Sequence, residues 1–582
     1  MIKLLKYLKP YKFLLIVIFI LAVGQSLANL YLPNLMADIV NNGISTFNTN
    51  YIWQTGGIMA LVAIGGTLCA VVGIYFASHV ATGMVKAVRA QVFKRVQEFS
   101  LHEFDSISTA SLITRTTNDT VQIQQVMVMT LNWLITAPIT LVVGVILALN
   151  QDVGLSWVLV AISPILIGII IILLIKAIPL FTVMQKKLDR LNLILDENLT
   201  GVRVVRAFNR IKHEEDRFDV ANHDVTNVAI KVNQLMASMM PVMMLMVNLS
   251  SVAIIWFGSI RVVGGHLEIG AMFAFLQYAA QILFALLMVA IMFVMIPRAE
   301  ASAKRVNEIL DMEPEINDPD EAKKPSGKKG YVEFQNVTFS YPKAEDAALV
   351  NISFKAAPGM VTAIIGGTGS GKSTLVNLIP RFYDVDSGHV LVDGIDTREM
   401  SQAGLRAKIG FVPQKAVLFS GTVNDNLRYG KEDATDAEIA HAADIAQANE
   451  FVSKMPEGFN SAISQGGTNV SGGQMQRLSI ARALVRKPEI YVFDDTFSAL
   501  DFKTDANLRA ALKGETKEST VIIVAQRVST VVDADQIIVL DEGRIAGIGT
   551  HNQLMKSCDV YKGIVSSQLS AAEMEEEKHE SK

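Results

Sequence analysis

Apolar residues run almost unbroken through the first half of the chain and are patterned quite differently in the second. Between Phe13 and Val85 there is no Lys or Arg, and two apolar stretches fill that interval at about 13–33 and 56–78. Four more follow at about 128–149, 155–175, 238–258 and 271–296. Each approaches the roughly 20 residues a helix needs to cross the hydrocarbon of a bilayer. One such run alone would suit a buried helix in a soluble core. Six within half a chain leave too little polar surface to cover them in water. The pattern predicts an all-α bundle of six long membrane-spanning helices within residues 1–310.

Basic residues give the bundle an orientation, because Lys and Arg near the ends of spans stay on the cytoplasmic side. Lys3, Lys6, Lys9 and Lys12 precede the first span, and Lys86, Arg89, Lys94 and Arg95 follow the second. Lys186, Lys187, Arg190, Arg203, Arg206 and Arg210 follow the fourth. The opposite loops carry Asp38, Asp152 and the single basic residue Arg261. The expectation is a multi-pass protein of the cell membrane with both termini cytoplasmic. A cleavable signal ending at Ser26-Leu27-Ala28 is a poorer reading, since the apolar run is long for a signal and cutting there would leave an odd number of spans. The stretches Val85 to Gln125 and Pro179 to Gln234 hold little Gly or Pro and keep helical spacing. Helices are therefore predicted to continue beyond the membrane, with turns at His102–Ser111 and Asn198–Val202.

Composition agrees with the pattern and removes some function classes. The 582-residue chain is 51% hydrophobic before its glycines are counted, whereas soluble chains reach about 45–50% with glycine included. A net charge of -4 gives no basic footprint for nucleic acid. Cys69 and Cys558 stand far apart and alone, which argues against a disulfide framework or a zinc site.

After Arg305 the apolar pattern stops. Residues 311–330 read as a polar linker, 331–569 as a soluble nucleotide-binding domain, and 570–582 as an acidic, disordered tail. A strand expected at Val361–Ile365 runs directly into Gly366-Gly367-Thr368-Gly369-Ser370-Gly371-Lys372-Ser373. This is a phosphate loop, in which glycines let consecutive backbone N–H groups turn toward phosphates. Lys372 would reach the β and γ phosphates, and Ser373 would place its hydroxyl on Mg²⁺. A second apolar strand, Ile490–Phe493, ends in Asp494, suited to the Mg²⁺ shell.

Further segments narrow the phosphate-loop class. Gln414 follows Phe411-Val412-Pro413; Ser471-Gly472-Gly473-Gln474 lies upstream of the Asp494 strand; Ser498-Ala499-Leu500-Asp501 lies beyond it. In this order the chain resembles an ABC exporter half-transporter, and in particular the degenerate-site subunit of bacterial heterodimeric multidrug exporters. The resemblance extends to two softer coupling-helix regions, Phe104–Gln124 and Thr200–Phe208. It implies a six-helix exporter bundle followed by an α/β P-loop ATPase domain with a helical subdomain, using ATP and Mg²⁺. It also implies that Tyr341 stacks on adenine, that Thr374 belongs to the nucleotide-binding set, and that Gln414 senses the γ-phosphate beside the Mg²⁺. Ser471 to Gln474, with Asp501, would serve the ATP of a second half-transporter.

Two positions depart from the family pattern. Where efficient members carry Glu and His, this chain has Asp495 and Gln526. Asp is a methylene too short, and a misplacement of about 1 Å can cost about a hundredfold. Gln526 has no titratable ring. The expectation is a slow ATP site here, paired with an intact signature in which Val470 stands for the usual leucine. A heterodimer follows, with one degenerate and one competent site. Before the signature, Ser464-Gln465-Gly466-Gly467 replaces a more acidic stretch. Met and Phe between Met236 and Met295 suggest adaptable apolar surfaces for a lipophilic small molecule. A lipid or peptide exporter, a homodimer, a nucleotide-gated channel or regulatory subunit, and an anchored ATPase are the competing readings.

Overall fold

The computed structural model describes residues 1–324, 329–342 and 344–568, without the side chain of Val294. The acidic tail expected from 570 onward lies outside the described residues. The chain divides into two compact units, one of Met1–Gln97 with Thr109–Met312, the other of Glu98–Ser108 with the chain from Glu313 onward.

In the first unit a 3-10 helix, Ile2–Tyr11, leads into α1 (Lys12–Asp38). Then come α2 (Thr49–Glu98), the short α3 (Leu101–Ile107), which belongs to the second unit, α4 (Thr109–Thr116) and α5 (Asn118–Gln151). They are followed by α6 (Val153–Thr200), the short α7 (Val202–Ala207), α8 (Ile211–Val263) and α9 (Ile269–Asp311). Six helical stretches among the described residues are long and apolar enough to cross a membrane. They run well past the expected spans: α8 has 53 residues, or about 80 Å at 1.5 Å per residue, against about 30 Å of hydrocarbon.

Packing pairs α5 with α9 and α6 with α8, while α1 lies against both α5 and α9. Leu30, Phe275, Tyr278 and Ile282 are buried where α1 and α9 meet. The polar ends are stapled. Asp152 caps α6 by accepting from the Leu155 N–H at 2.7 Å and pairs with Arg261 at 2.8 Å. At the far end of α9, buried Asp119 accepts from Ser302 and Arg305, and Arg115 pairs with Glu308 at 2.9 Å.

The expected turn at His102–Ser111 contains the helix α3, and residues 98–108 group with the second unit although the expected boundary placed them in the membrane half. The cause is specific. Glu103, only 5% exposed, accepts from the Glu315 backbone N–H at 2.8 Å while its other oxygen closes a capping box with Ser100. Burial pushes the Glu103 carboxyl up, but the hydrogen bonds from Ser100 and Glu315 outweigh it and hold it below its usual range. The break expected at Asn198–Val202 falls at Gly201. The segment read as a linker is anchored, with Ile316 buried and Lys323 paired with Glu399 at 2.8 Å.

Among the described residues the second unit contains three sheets. One orders four strands β2-β1-β4-β5, where β1 is Val332–Phe339, β2 Leu349–Ala356, β4 Ser387–Val392 and β5 Ile395–Asp396. The central sheet orders six strands β12-β11-β3-β10-β9-β6. Here β3 is Val361–Gly366, β6 Ile409–Val412, β9 Ile490–Asp494 and β10 Thr520–Val524. β11 is Gln536–Asp541 and β12 Arg544–Gly549. A small pair joins β7 (Gly421–Thr422) and β8 (Ala462–Ile463). β9 and β10 are buried along their whole length and pair in parallel with their neighbours. Such strands read as continuous apolar runs, and side chains at their carboxyl ends reach a common crevice.

Candidate functional site

The crevice is made by the ends of three adjacent parallel strands. β3 ends at Gly366 and turns through the glycine-rich loop into the helix α10 (Lys372–Leu378). β9 ends at Asp494, and β10 ends at Val524, opposite Asp494 in register. A cavity of about 370 Å³ opens there. Its lining includes Thr368, Lys372 and Ser373 from the loop, Tyr341 and Gln414, and Asp495 and Gln526 from beyond the two strands.

Backbone shape explains the loop's composition. Gly371 has φ +93°, and a Cβ there would meet the Ala348 carbonyl and Leu349 side chain at 2.8 Å. Gly369 has φ +83° and open space where a side chain would begin. Only residues without a Cβ take such φ values freely. The open wall with its polar base suits a polyphosphate, which is the fit MgATP requires.

The charged groups are deeply held. Lys372 is 8% exposed and donates to the Gly366 and Gly367 carbonyls at 3.0 and 2.6 Å. Burial lowers its pKa, since a charged amine loses solvation there, while Asp495 and Asp494 pull the other way. Ser373 Oγ donates to Asp494 Oδ1 at 2.9 Å. Burial raises Asp494, and the neighbouring Asp495 adds to the rise against Ser373 and Lys372. Asp495 is raised by burial too, against hydrogen bonds that favour its charged form. Phosphates beside Lys372 and a divalent cation beside Ser373 and Asp494 would balance these charges.

Asp495 has an unusual posture. Its φ is +46°, in the left-handed region that Asp and Asn enter more readily than longer side chains. Its Oδ2 accepts from Gln526 Nε2 at 2.8 Å and from Gln414 Nε2 at 3.2 Å. Two neutral amides thus hold the one carboxylate oxygen. Tyr341 contacts Tyr383 edge-to-face at 5.5 Å and shares a hydrogen bond with Thr374 at 3.0 Å.

The cavity brings together most of the residues expected at a nucleotide site, but not the signature. Ser471 and Gly472 are exposed, and none of Ser471 to Gln474 lines the cavity. Ser471 instead caps the helix Gly472–Val485: its Oγ accepts from the Gln474 N–H at 3.3 Å, and Gln474 Oε1 accepts from the Ser471 N–H at 2.9 Å. Asp501 likewise lies outside and caps Phe502–Glu515 by accepting from the Thr504 N–H at 3.0 Å. Sequence reasoning missed Ala348 and Val524, which also line the cavity. Small apolar residues at strand ends carry no chemical signal of their own.

Comparison with known proteins matches one family to part of each half of the chain. Residues 15–287 match the family described as ABC transporter transmembrane region, and residues 349–498 match the family described as ABC transporter. An uncharacterized ABC transporter ATP-binding protein of Mycobacterium tuberculosis is 43% identical over 571 residues, covering 97% of this chain and 98% of that protein. An ATP-binding/permease protein of Bacillus subtilis, named for multidrug export, is 33% identical over 580 residues, covering 97% and 98%. Among solved structures, a bacterial Atm1-family ABC exporter with ATP bound aligns with a TM-score of 0.80 at 26% identity, over 96% of this chain and 97% of that one. Six helices among the described residues able to cross a membrane, a phosphate loop at the carboxyl end of an inner strand, and full-length relatives lead to one statement: the chain belongs to the ABC transporter family, as an exporter half-transporter with its membrane and ATPase parts in one polypeptide.

Proposed function

We propose that this chain is one half of a heterodimeric multidrug exporter of the cell membrane, with a slow ATP site of its own and an intact signature that serves a faster site on its partner. Its termini and ATPase part lie on the cytoplasmic side, and its cargo is a lipophilic small molecule. Support for that cargo comes from the Bacillus subtilis relative's name and from the Met- and Phe-rich helices.

The observation that carries the reading is the state of Asp495. In the place of the base that would act on the attacking water stands a carboxylate one methylene short of Glu, with one oxygen held by Gln414 and Gln526. Those amides donate N–H groups and take up no proton. Loss of a positioned base costs about 10² to 10⁴ in rate. MgATP, when bound, supplies the phosphoanhydride bond and the charge that closes the site. Lys372 and the loop N–H groups would hold its phosphates, Tyr341 its adenine, and Ser373, Asp494 and Gln414 its Mg²⁺. Ser471 and Gly472 stand exposed, and Ser471 to Gln474 lie outside this cavity, placed to meet a nucleotide held by another chain.

The test is the ATPase rate of the purified chain alone and together with its partner. The expected result is slow turnover alone and a rise of about 10²-fold or more in the pair. Vigorous hydrolysis by the chain alone would refute the heterodimer. ATP-driven movement of a panel of lipophilic compounds and lipids in proteoliposomes containing both chains tests the cargo.

A further inference from the structure

We propose that a cavity between α1, α5 and α9 binds an uncharged amphiphile through a hydroxyl- or amide-bearing headgroup, which narrows the lipophilic cargo proposed above and rests on that exporter reading. The cavity has a volume of about 320 Å³, at the lower end of the roughly 300–1,000 Å³ of small-molecule sites. It accommodates a headgroup and the first part of a chain.

The lining is amphipathic and bears no Asp, Glu, Lys, Arg or His. Gln25 and Asn29 come from α1, and Gln277 and Gln281 from α9. Further along the same face of α9, Phe284 and Met288 form an apolar end. Asn29 and Gln277 are exposed within stretches long and apolar enough to span a membrane. Amides turned to lipid would forfeit their hydrogen bonds, so this face must meet something polar.

A second observation points to a ligand. One turn along α1, comparable groups satisfy one another: the Tyr278 hydroxyl donates to the Leu30 carbonyl and to Asn34 Oδ1, each at 3.0 Å, and Gln151 donates to Asn34 at 2.7 Å. At the cavity the closure is incomplete: Gln281 Nε2 donates to the Asn29 carbonyl at 3.2 Å, but Ser26 is left out. Ser26 is among its lining residues and is 2% exposed, and its Oγ has no hydrogen-bond partner among the described residues. A buried hydroxyl without a partner costs about 1–3 kcal/mol, and a headgroup would remove that cost. Amide side chains offer donors and acceptors together, which matches a polyol or amide. A cation would enter without a counter-charge and lose its hydration.

The experiment uses the complex of both chains in lipid nanodiscs without nucleotide. Its probes are a dye-labelled alkyl glucoside and a dye-labelled alkyl trimethylammonium of the same chain length, with binding read by fluorescence polarisation. The glucoside is expected to bind at least about tenfold tighter. Asn29→Leu and Gln281→Leu should each weaken it about tenfold and change the cation less than about twofold. Gln281→Glu should shift preference toward the cation. Ser26→Ala should weaken the glucoside about threefold without lowering the thermal midpoint, so the idea remains testable even where the Leu variants do not assemble. Equal binding of the two probes, no glucoside binding, or indifference to Ser26→Ala and Gln281→Glu overturns the proposal, as when helices of the partner cover this face. Because binding is read without ATP, a failure of ATP-driven transport would strike the exporter reading and leave this result separate.

Discussion

The phosphate-loop crevice and the signature lie in one folded unit yet are built on opposite principles. The crevice concentrates buried charge, with Lys372, Asp494 and Asp495 at 8, 5 and 7% exposed, and it carries pKa shifts that a nucleotide and a cation would relieve. The signature bears no charge, is exposed at Ser471 and Gly472, and spends its polar groups on a capping box. A region that holds a ligand through its own charges must be organised before the ligand comes. A region that offers a helix end can remain relaxed until another surface meets it. The difference separates what this chain does alone from what it does only in company.

The comparison breaks most sharply on the signature. Replacing Gly472 with Arg in this chain should reduce ATP hydrolysis by the two-chain complex about 10²-fold or more, while photolabelling of this chain's own site by an ATP analogue stays near normal. Asp495→Asn should reduce the same hydrolysis less than about threefold. If the two variants exchange effects, the division of labour is wrong.

Next in size is repair of the crevice. Asp495→Glu together with Gln526→His should raise the slow site's own turnover about tenfold or more, measured with the partner's site disabled. The gain is smaller than the whole deficit, because a longer side chain fits less readily at φ +46°. No gain at all would place the defect elsewhere.

Two smaller effects concern stability. Asp396 is held to about 2: burial pushes its pKa up, but hydrogen bonds from Arg398 and His389 pull it further down. Its folded value lies below the unfolded value of about 3.9, so its contribution of about 2 kcal/mol is present above pH 4 and lost as pH falls toward 2. Denaturant melts of the full chain between pH 5 and 2 should show that loss, and Asp396→Asn should flatten the profile. Ser471→Ala, which removes a cap, should cost about 1 kcal/mol and move the melting midpoint by only a few degrees.

Much of this was legible in sequence for identifiable reasons. The spans announce themselves because lipid demands unbroken apolar runs, and the phosphate loop does so because Gly369 and Gly371 adopt φ values that other residues avoid. The amide-lined cavity was not legible. Gln25 and Asn29 lie in the first span and Gln277 and Gln281 in the last, and only the packing of α1 on α9 makes them neighbours. The Met and Phe stripe was legible as composition but not as a surface. It divides into buried Met243 and Phe275, exposed Met244 and Phe293, and only Phe284 and Met288 at the cavity. Composition foretells apolarity but not which way each side chain turns.

The grouping of Glu98–Ser108 with the ATPase unit bears on how the polypeptide can be dissected. A recombinant fragment beginning at Glu313 would lack the carboxylate that receives the Glu315 N–H and the short helix that carries it. Its leading edge would open to water beside Ile316 and invite clumping on purification. Supplying the missing eleven-residue piece as a separate peptide, or grafting it through a flexible tether, should restore a well-behaved soluble engine.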